Sequence, residues 1–84
     1  MEYAIKFTRR AVKDLDKLPP EVQSRVVVKI EGLTNDLAGD VKKLTNNQPA
    51  YRLRVGDYRV LFDVEDTTVW IQRILHRREA YDRP

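Results

Sequence analysis

The 84-residue chain contains no cysteine, so neither a disulfide nor a thiolate metal site can be part of it. It has a single histidine, and its carboxylates are scattered, so no metal cage is visible; the acidic turn Asp63, Glu65, Asp66 reads as solvated surface. Three glycines, none in a phosphate-loop pattern, rule out a glycine-rich phosphate cradle, and no nucleophile elbow is present. No apolar run approaches the roughly 20 residues of a membrane span. The start, Met-Glu-Tyr-Ala-Ile-Lys, lacks the layout of a secretory signal. There are no internal repeats and no low-complexity tract. These absences give the expectation of a soluble protein in a reducing cytoplasm, with no membrane partner and no cofactor. The length fits one small domain, residues 1–84, near the lower limit of what a core can stabilise without staples.

Charge is more informative. Sixteen Lys and Arg against thirteen Asp and Glu give a net +3, an excess that permits nucleic acid as a partner without requiring it. All six lysines occur at or before Lys43, and from there on Lys and Arg positions are filled only by Arg: 52, 54, 59, 73, 77, 78 and 83. Lysine is a mobile point charge, whereas the arginine fork binds phosphate oxygens in pairs. The lysines fit helix-surface solubility and the arginines fit a site.

Residues 3–8 alternate and read as a strand with Tyr3, Ile5 and Phe7 inward. Thr8 caps a helix over about 9–18, with Ala11, Leu15 and Leu18 on one face. Pro19-Pro20 ends it and opens a second helix over about 20–37, striped by Val22, Val26, Ile30, Leu33 and Leu37. Residues 41–50 are irregular, with Val41 to Leu44 able to touch a sheet edge. Then Tyr51-Arg-Leu-Arg-Val-Gly-Asp-Tyr-Arg-Val-Leu-Phe-Asp63 alternates on both sides of Gly56-Asp57, the pattern of a two-residue hairpin with positive φ at its glycine. A second turn at residues 65–68 leads into a third strand, Val69 to Leu75. His76 to Tyr81 suits a short helical turn. The expected fold is α+β: an N-terminal strand, an antiparallel helical hairpin, then a three-stranded meander with one face under the helices and the other open.

Counting outward from the turn sets Arg54 opposite Arg59, with Arg52 on the same face. Like charges directly opposite on a sheet repel, so the arrangement calls for an anion. Two readings follow: solvated residues balanced by Asp57, Asp63 and Glu65, or a phosphate site. Extending the count through a tight second turn puts Trp70, Gln72 and Ile74 on the open face and Arg73 on the covered one. A longer or bulged turn would exchange the faces. Arg77, Arg78 and Tyr81, just past the third strand, return beside Tyr58 and Arg59. Arginine stays protonated, so a proton-transfer group would have to be His76, Tyr81, Glu79 or a lysine. For His76 a capping role stands beside catalysis, and for Tyr81 anchoring of the tail does. Trp70 reads as packing, and Arg9 and Arg10 read as surface charge.

The hairpin string, followed by Arg73-Ile-Leu-His-Arg-Arg-Glu-Ala-Tyr81, resembles the RelE toxins of the RelE/ParE superfamily. The likeness takes in the opening strand, the helix pair broken at Lys17-Leu-Pro-Pro20, and Lys43-Leu44 before the meander. It implies the toxin of a type II toxin–antitoxin pair, held by a RelB-like or unrelated antitoxin. RelE toxins enter the 30S A site of the ribosome and cut mRNA without a metal. The 2′-hydroxyl attacks the adjacent phosphate, leaving a 2′,3′-cyclic phosphate and a 5′-hydroxyl. By position, Arg52 and Arg54 match strand residues that contact RNA, and Arg59 matches the arginine at the scissile phosphate. Arg77 matches the basic residue that stabilises transition-state charge, and Tyr81 the C-terminal tyrosine that stacks on mRNA. The chain departs from the best-known member by carrying Arg52 and Arg54 in place of lysines and by a shorter interval from Arg77 to Tyr81. His76 is the substitute proton-transfer group that relatives suggest. The alternative within the superfamily is a ParE-like toxin that binds DNA gyrase and is no nuclease.

Overall fold

The computed structural model describes residues 1–44 and 48–81, the side chain of Tyr81 excepted. Its elements are β1 (Ala4–Phe7), α1 (Arg9–Asp16), α2 (Pro20–Gly32), β2 (Val41–Lys43), β3 (Tyr51–Val55), β4 (Tyr58–Glu65), β5 (Thr68–His76) and α3 (Arg77–Tyr81). The α+β architecture is as the sequence implies, but the sheet has five strands in the order β1-β5-β4-β3-β2. The expected three-stranded meander is its centre. The opening strand joins as a parallel edge on β5, and Val41–Lys43 forms the other edge, antiparallel to β3. A pairing between residues at opposite ends of the chain leaves no local mark, which is why the sheet reads as smaller from sequence.

Local chemistry explains the helix bounds. Thr8 is extended, and its hydroxyl accepts from the Ala11 N–H at 3.1 Å, the side-chain cap that starts α1. Pro20 opens α2, where its missing N–H costs nothing. α2 stops at Gly32 rather than running to residue 37. The chain turns instead through Asp36 and Leu37, both with positive φ, and the Asp36 N–H donates to the Met1 carbonyl.

The core lies between the helices and one sheet face. Ala11 from α1 and Val26, Ile30 and Leu33 from the second helical segment pack on Leu53, Val55, Val60, Phe62, Val69, Ile71 and Ile74. Tyr51 stacks on Phe62 with ring centroids 5.2 Å apart, across the β3–β4 pair.

α1 has a second task. β1 ends opposite Ile71, leaving the rest of the β5 edge without a strand. The helix N-terminus and its side chains fill that gap. The Thr8 N–H donates to the Ile71 carbonyl, the Thr8 hydroxyl to the Gln72 carbonyl, and the Asp14 carboxylate accepts from the Ile74 N–H at 3.0 Å. A sheet edge that would otherwise expose backbone donors and acceptors is closed by a helix.

Candidate active site

The β3–β4 hairpin has the register read from the sequence: Val55 faces Tyr58, and Arg54 faces Arg59. Gly56 has φ +57, the value its turn position needs. The second turn is also tight, with Glu65 opposite Thr68 and Asp66 at positive φ. The counting fails further along. Phe62 pairs with Ile71 but Leu61 pairs with Arg73, so Gln72 is an extra residue, a β-bulge in β5. From there on the faces exchange. Ile74 joins the core, while Arg73 and Leu75 turn to the open face, the reverse of the plain count. The signal was present in the spacing of the buried residues, Val69, Ile71 and then Ile74, a step of two followed by a step of three.

Two rows therefore cross the open face. One is Arg52, Leu61, Arg73; the next is Arg54, Arg59, Leu75. Above them is a cavity of about 550 Å³. Leu61 and Leu75 give it apolar surface. Arg10, Arg52, Arg59 and Arg73 line it with cations, and Thr8, Gln72, Pro49 and Ala80 complete much of its wall. Among the described lining residues there is no carboxylate, histidine or lysine. The chemistry of such a wall suits an anion carrying an apolar or aromatic body, and guanidinium groups so placed can stabilise negative charge.

The arginines are held differently. Arg59 is only 5 % exposed, and its Nη1 donates to the Gly56 and Tyr58 carbonyls at 2.8 and 2.9 Å, which ties the guanidinium to the turn. Arg52 and Arg54 share one counter-ion, Asp40, at 4.0 Å each; Arg52 is 14 % exposed and Arg54 58 %. Asp40 comes from the segment before β2. Of the carboxylates expected to balance the cluster, Asp63 is engaged elsewhere, accepting from the Ala50 N–H at 2.8 Å. Arg73 is gripped by Asp14, whose carboxylate takes Nε at 2.8 Å and Nη2 at 3.3 Å. Burial pushes the Asp14 carboxyl up. The hydrogen bonds from Arg73 and the Ile74 N–H, with the charges of Arg73 and Arg10, outweigh it and hold the pKa below the ordinary value. The Arg73 guanidinium is raised in turn, chiefly by the Asp14 hydrogen bond.

The C-terminal residues fall into three places. The Arg77 N–H donates to the Asp57 carbonyl at 2.7 Å, so this arginine stands exposed beside the hairpin turn, one residue beyond β5. His76 pairs with Tyr58 on the core-side face, in edge contact with its ring at 5.3 Å, and it does not line the cavity. Its Nδ1 accepts from the Arg78 N–H at 3.2 Å while the His76 N–H donates to the Glu79 carboxylate at 3.1 Å. That is a capping box with histidine in the serine position, and it occupies both His76 Nδ1 and Glu79. Tyr81 ends α3, and its side chain lies outside the described residues. The sequence reading missed Arg10 and Arg73 as parts of this wall. Nothing local distinguishes Arg10 from surface charge, whereas the bulge spacing points to Arg73.

Comparison with known proteins decides the family. The family described as ParE toxin of type II toxin–antitoxin system, parDE, matches residues 5–81. The chain belongs to the RelE/ParE toxin superfamily. Within it, the chain is 37 % identical to Toxin RelE3 of Methanocaldococcus jannaschii, over 90 % of this chain and 92 % of that one. It is 38 % identical to Toxin RelG of Mycobacterium tuberculosis, over 99 % of this chain and all of that one. The structure superposes on the RelBE2 toxin–antitoxin complex from M. tuberculosis with a TM-score of 0.76 at 35 % identity, covering 92 % of this chain and 100 % of the other. A RelB–RelE antitoxin–toxin complex from Methanococcus jannaschii gives a TM-score of 0.75 at 35 % identity, covering 90 % and 94 %. A Pseudomonas aeruginosa ParDE chain shares the fold, with a TM-score of 0.68 at 22 % identity, covering 89 % and 96 %. The RelE-type relatives make this chain a type II toxin of the RelE family. Among its described residues no helix is long and apolar enough to cross a membrane, and no group of three His, Cys, Asp or Glu is placed to hold a metal ion.

Proposed function

We propose that this RelE-family toxin is an endoribonuclease that enters the ribosomal A site and cuts mRNA. The observation that carries the reading is the cavity itself: Arg52, Arg59 and Arg73 around Leu61 and Leu75, on an open sheet face. A phosphodiester meets the guanidinium forks, and its sugar or base meets the leucines. In the reaction the 2′-oxygen bonds to phosphorus as the bond to the 5′-oxygen breaks. The proton lost from the 2′-hydroxyl is matched by one gained at the 5′-hydroxyl. Arg59 sits at the scissile phosphate, pre-set by its two turn carbonyls so that little reorganisation is needed when charge develops. Arg52 and Arg54 hold the strand, Arg77 meets charge near the leaving group, and Tyr81 stacks on a base. His76 supports this arrangement as the cap of α3. With arginines lining the cavity, rate enhancement comes from charge stabilisation and alignment more than from a strong side-chain base.

The partner is an antitoxin, RelB-like in the relatives' complexes, whose binding blocks the cavity or bulks the toxin out of the A site. A second reading, a gyrase-binding toxin without nuclease activity, is favoured by the match to the ParE family description. Cell-free translation with mapping of mRNA 5′ ends separates the two. Wild type is expected to cut A-site codons, and a folded Arg59→Ala/Arg77→Ala variant is not. Equal cutting by both would remove the proposed site, and inhibition of supercoiling with mRNA intact would establish the gyrase reading.

A further inference from the structure

A guanidinium has five N–H donors and two forks: one made by Nε and Nη2, the other by the two Nη groups. Asp14 occupies the first fork of Arg73, taking the Nε–H and one Nη2–H. The end fork, with both Nη1–H donors and the second Nη2–H, makes no hydrogen bond among the described residues. A partly buried arginine with one fork saturated and the other open is pre-oriented for a second anion. It has already lost most of the side-chain entropy that binding would cost.

Its location completes the case. Arg73 lines the cavity and stands across Leu61 from Arg52, two strand spacings or roughly 10 Å away. Two further observations show how the position is fixed. The Gln72 bulge puts Arg73 on this face, and that bulge is secured by the Thr8 hydroxyl on the Gln72 carbonyl. Asp14 is itself immobilised by the Ile74 N–H.

We propose that Arg73 is a phosphate-binding residue of this site and that Asp14 is its positioning residue. Its ligand is a phosphodiester of a single RNA strand, gripped between Arg73 and Arg52. The choice of ligand rests on the ribonuclease reading, but the binding does not require cleavage.

The test uses the full-length chain and a 2′-O-methyl oligoribonucleotide, which lacks the attacking hydroxyl and stays intact. Its affinity is measured by fluorescence anisotropy over a salt series, with thermal unfolding as the control. Loss of one phosphate contact to a single strand should lower the log–log salt slope by about 0.7. Arg73→Ala is expected to show that reduction, with affinity down about tenfold. Arg73→Lys should keep the slope while binding more weakly, because an ammonium cannot hold Asp14 and phosphate through separate forks. Asp14→Asn should also keep the slope and lose affinity. The proposal is overturned if Arg73→Ala keeps the wild-type slope, whether affinity is retained or falls with the unfolding temperature. It is equally overturned if the wild type does not bind the oligonucleotide. Arg73-dependent binding by a toxin that leaves mRNA uncut on ribosomes would instead sink the ribonuclease reading and keep this site.

Discussion

One carboxylate oxygen, Asp14 Oδ2, accepts both from the Arg73 Nε–H at 2.8 Å and from the Ile74 N–H at 3.0 Å. The same atom thus closes an open stretch of sheet edge and fixes a cation of the cavity. Asp14 is 11 % exposed and Arg73 25 %, so the pair is partly desolvated and each partner depends on the other.

Asp14→Asn should destabilise the fold at neutral pH by about 1–3 kcal/mol, since the amide oxygen can still accept but the charge is gone. Because the folded-state pKa of Asp14 is depressed, its contribution is fully present above the unfolded value of about 3.9 and is lost as pH falls through the folded value. Urea unfolding at pH 7 and at steps below pH 4 should show wild type and variant converging in acid. A gap that stayed constant would contradict the lowered pKa.

Asp40 places a carboxylate 4.0 Å from Arg52 and from Arg54, where incoming phosphate would compete with it. Asp40→Asn should leave the urea midpoint little changed, as exposed ion pairs contribute little. It should strengthen oligoribonucleotide binding severalfold at low salt, with the gain fading as salt rises. Unchanged affinity at low salt would show that Asp40 does not shield these arginines.

His76 offers a clean separation of cap from catalyst. Serine can accept from the Arg78 N–H as Nδ1 does, so His76→Ser should keep α3 and retain mRNA cutting close to wild type. His76→Ala should lose about 1 kcal/mol, the usual worth of a cap. Cutting abolished in a stably folded serine variant would return His76 to the proton-transfer role.

Gly56→Ala tests the turn that carries Arg59. A Cβ there would stand 3.9 Å from Arg25 Nη1, an ordinary contact, so space is not the obstacle. The φ of +57 is, at a cost of about 1–2 kcal/mol for an L side chain. The urea midpoint should fall accordingly with an unchanged m-value. A midpoint equal to wild type would mean that the turn does not need this conformation.

Much of the site was legible because its framing is local. Gly56-Asp57 sets a two-residue loop, and pleat alternation then fixes Arg52, Arg54 and Arg59 on one face and Leu53, Val55, Val60 and Phe62 on the other. Thr8 and the proline pair likewise announced the helix starts. What was hidden depends on contacts between distant residues. The β1–β5 pairing joins the two ends of the chain, and Asp40 reaches Arg52 and Arg54 from another segment. The bulge at Gln72 is held from position 8. Plain alternation puts Arg73 on the wrong face because β5 changes phase at Gln72. The uneven spacing of Val69, Ile71 and Ile74 was the clue that the strand does not keep it.

Alternation along a strand is a parity, and Gln72 is where β5 inverts it. Upstream, odd positions belong to the core; downstream, even ones do. Pairing Gln72 in regular register, with no bulge, would make the parity uniform. It would drive Arg73 toward the hydrophobic interior and lift Ile74 into the cavity, trading a cation for a methylated surface without altering any letter of the strand. A one-residue insertion or deletion elsewhere in β5 would likewise set part of the strand on the wrong face. Length in this strand is therefore as tightly constrained as the identity of the arginines themselves, and the charge of the open face is written partly in a count of residues.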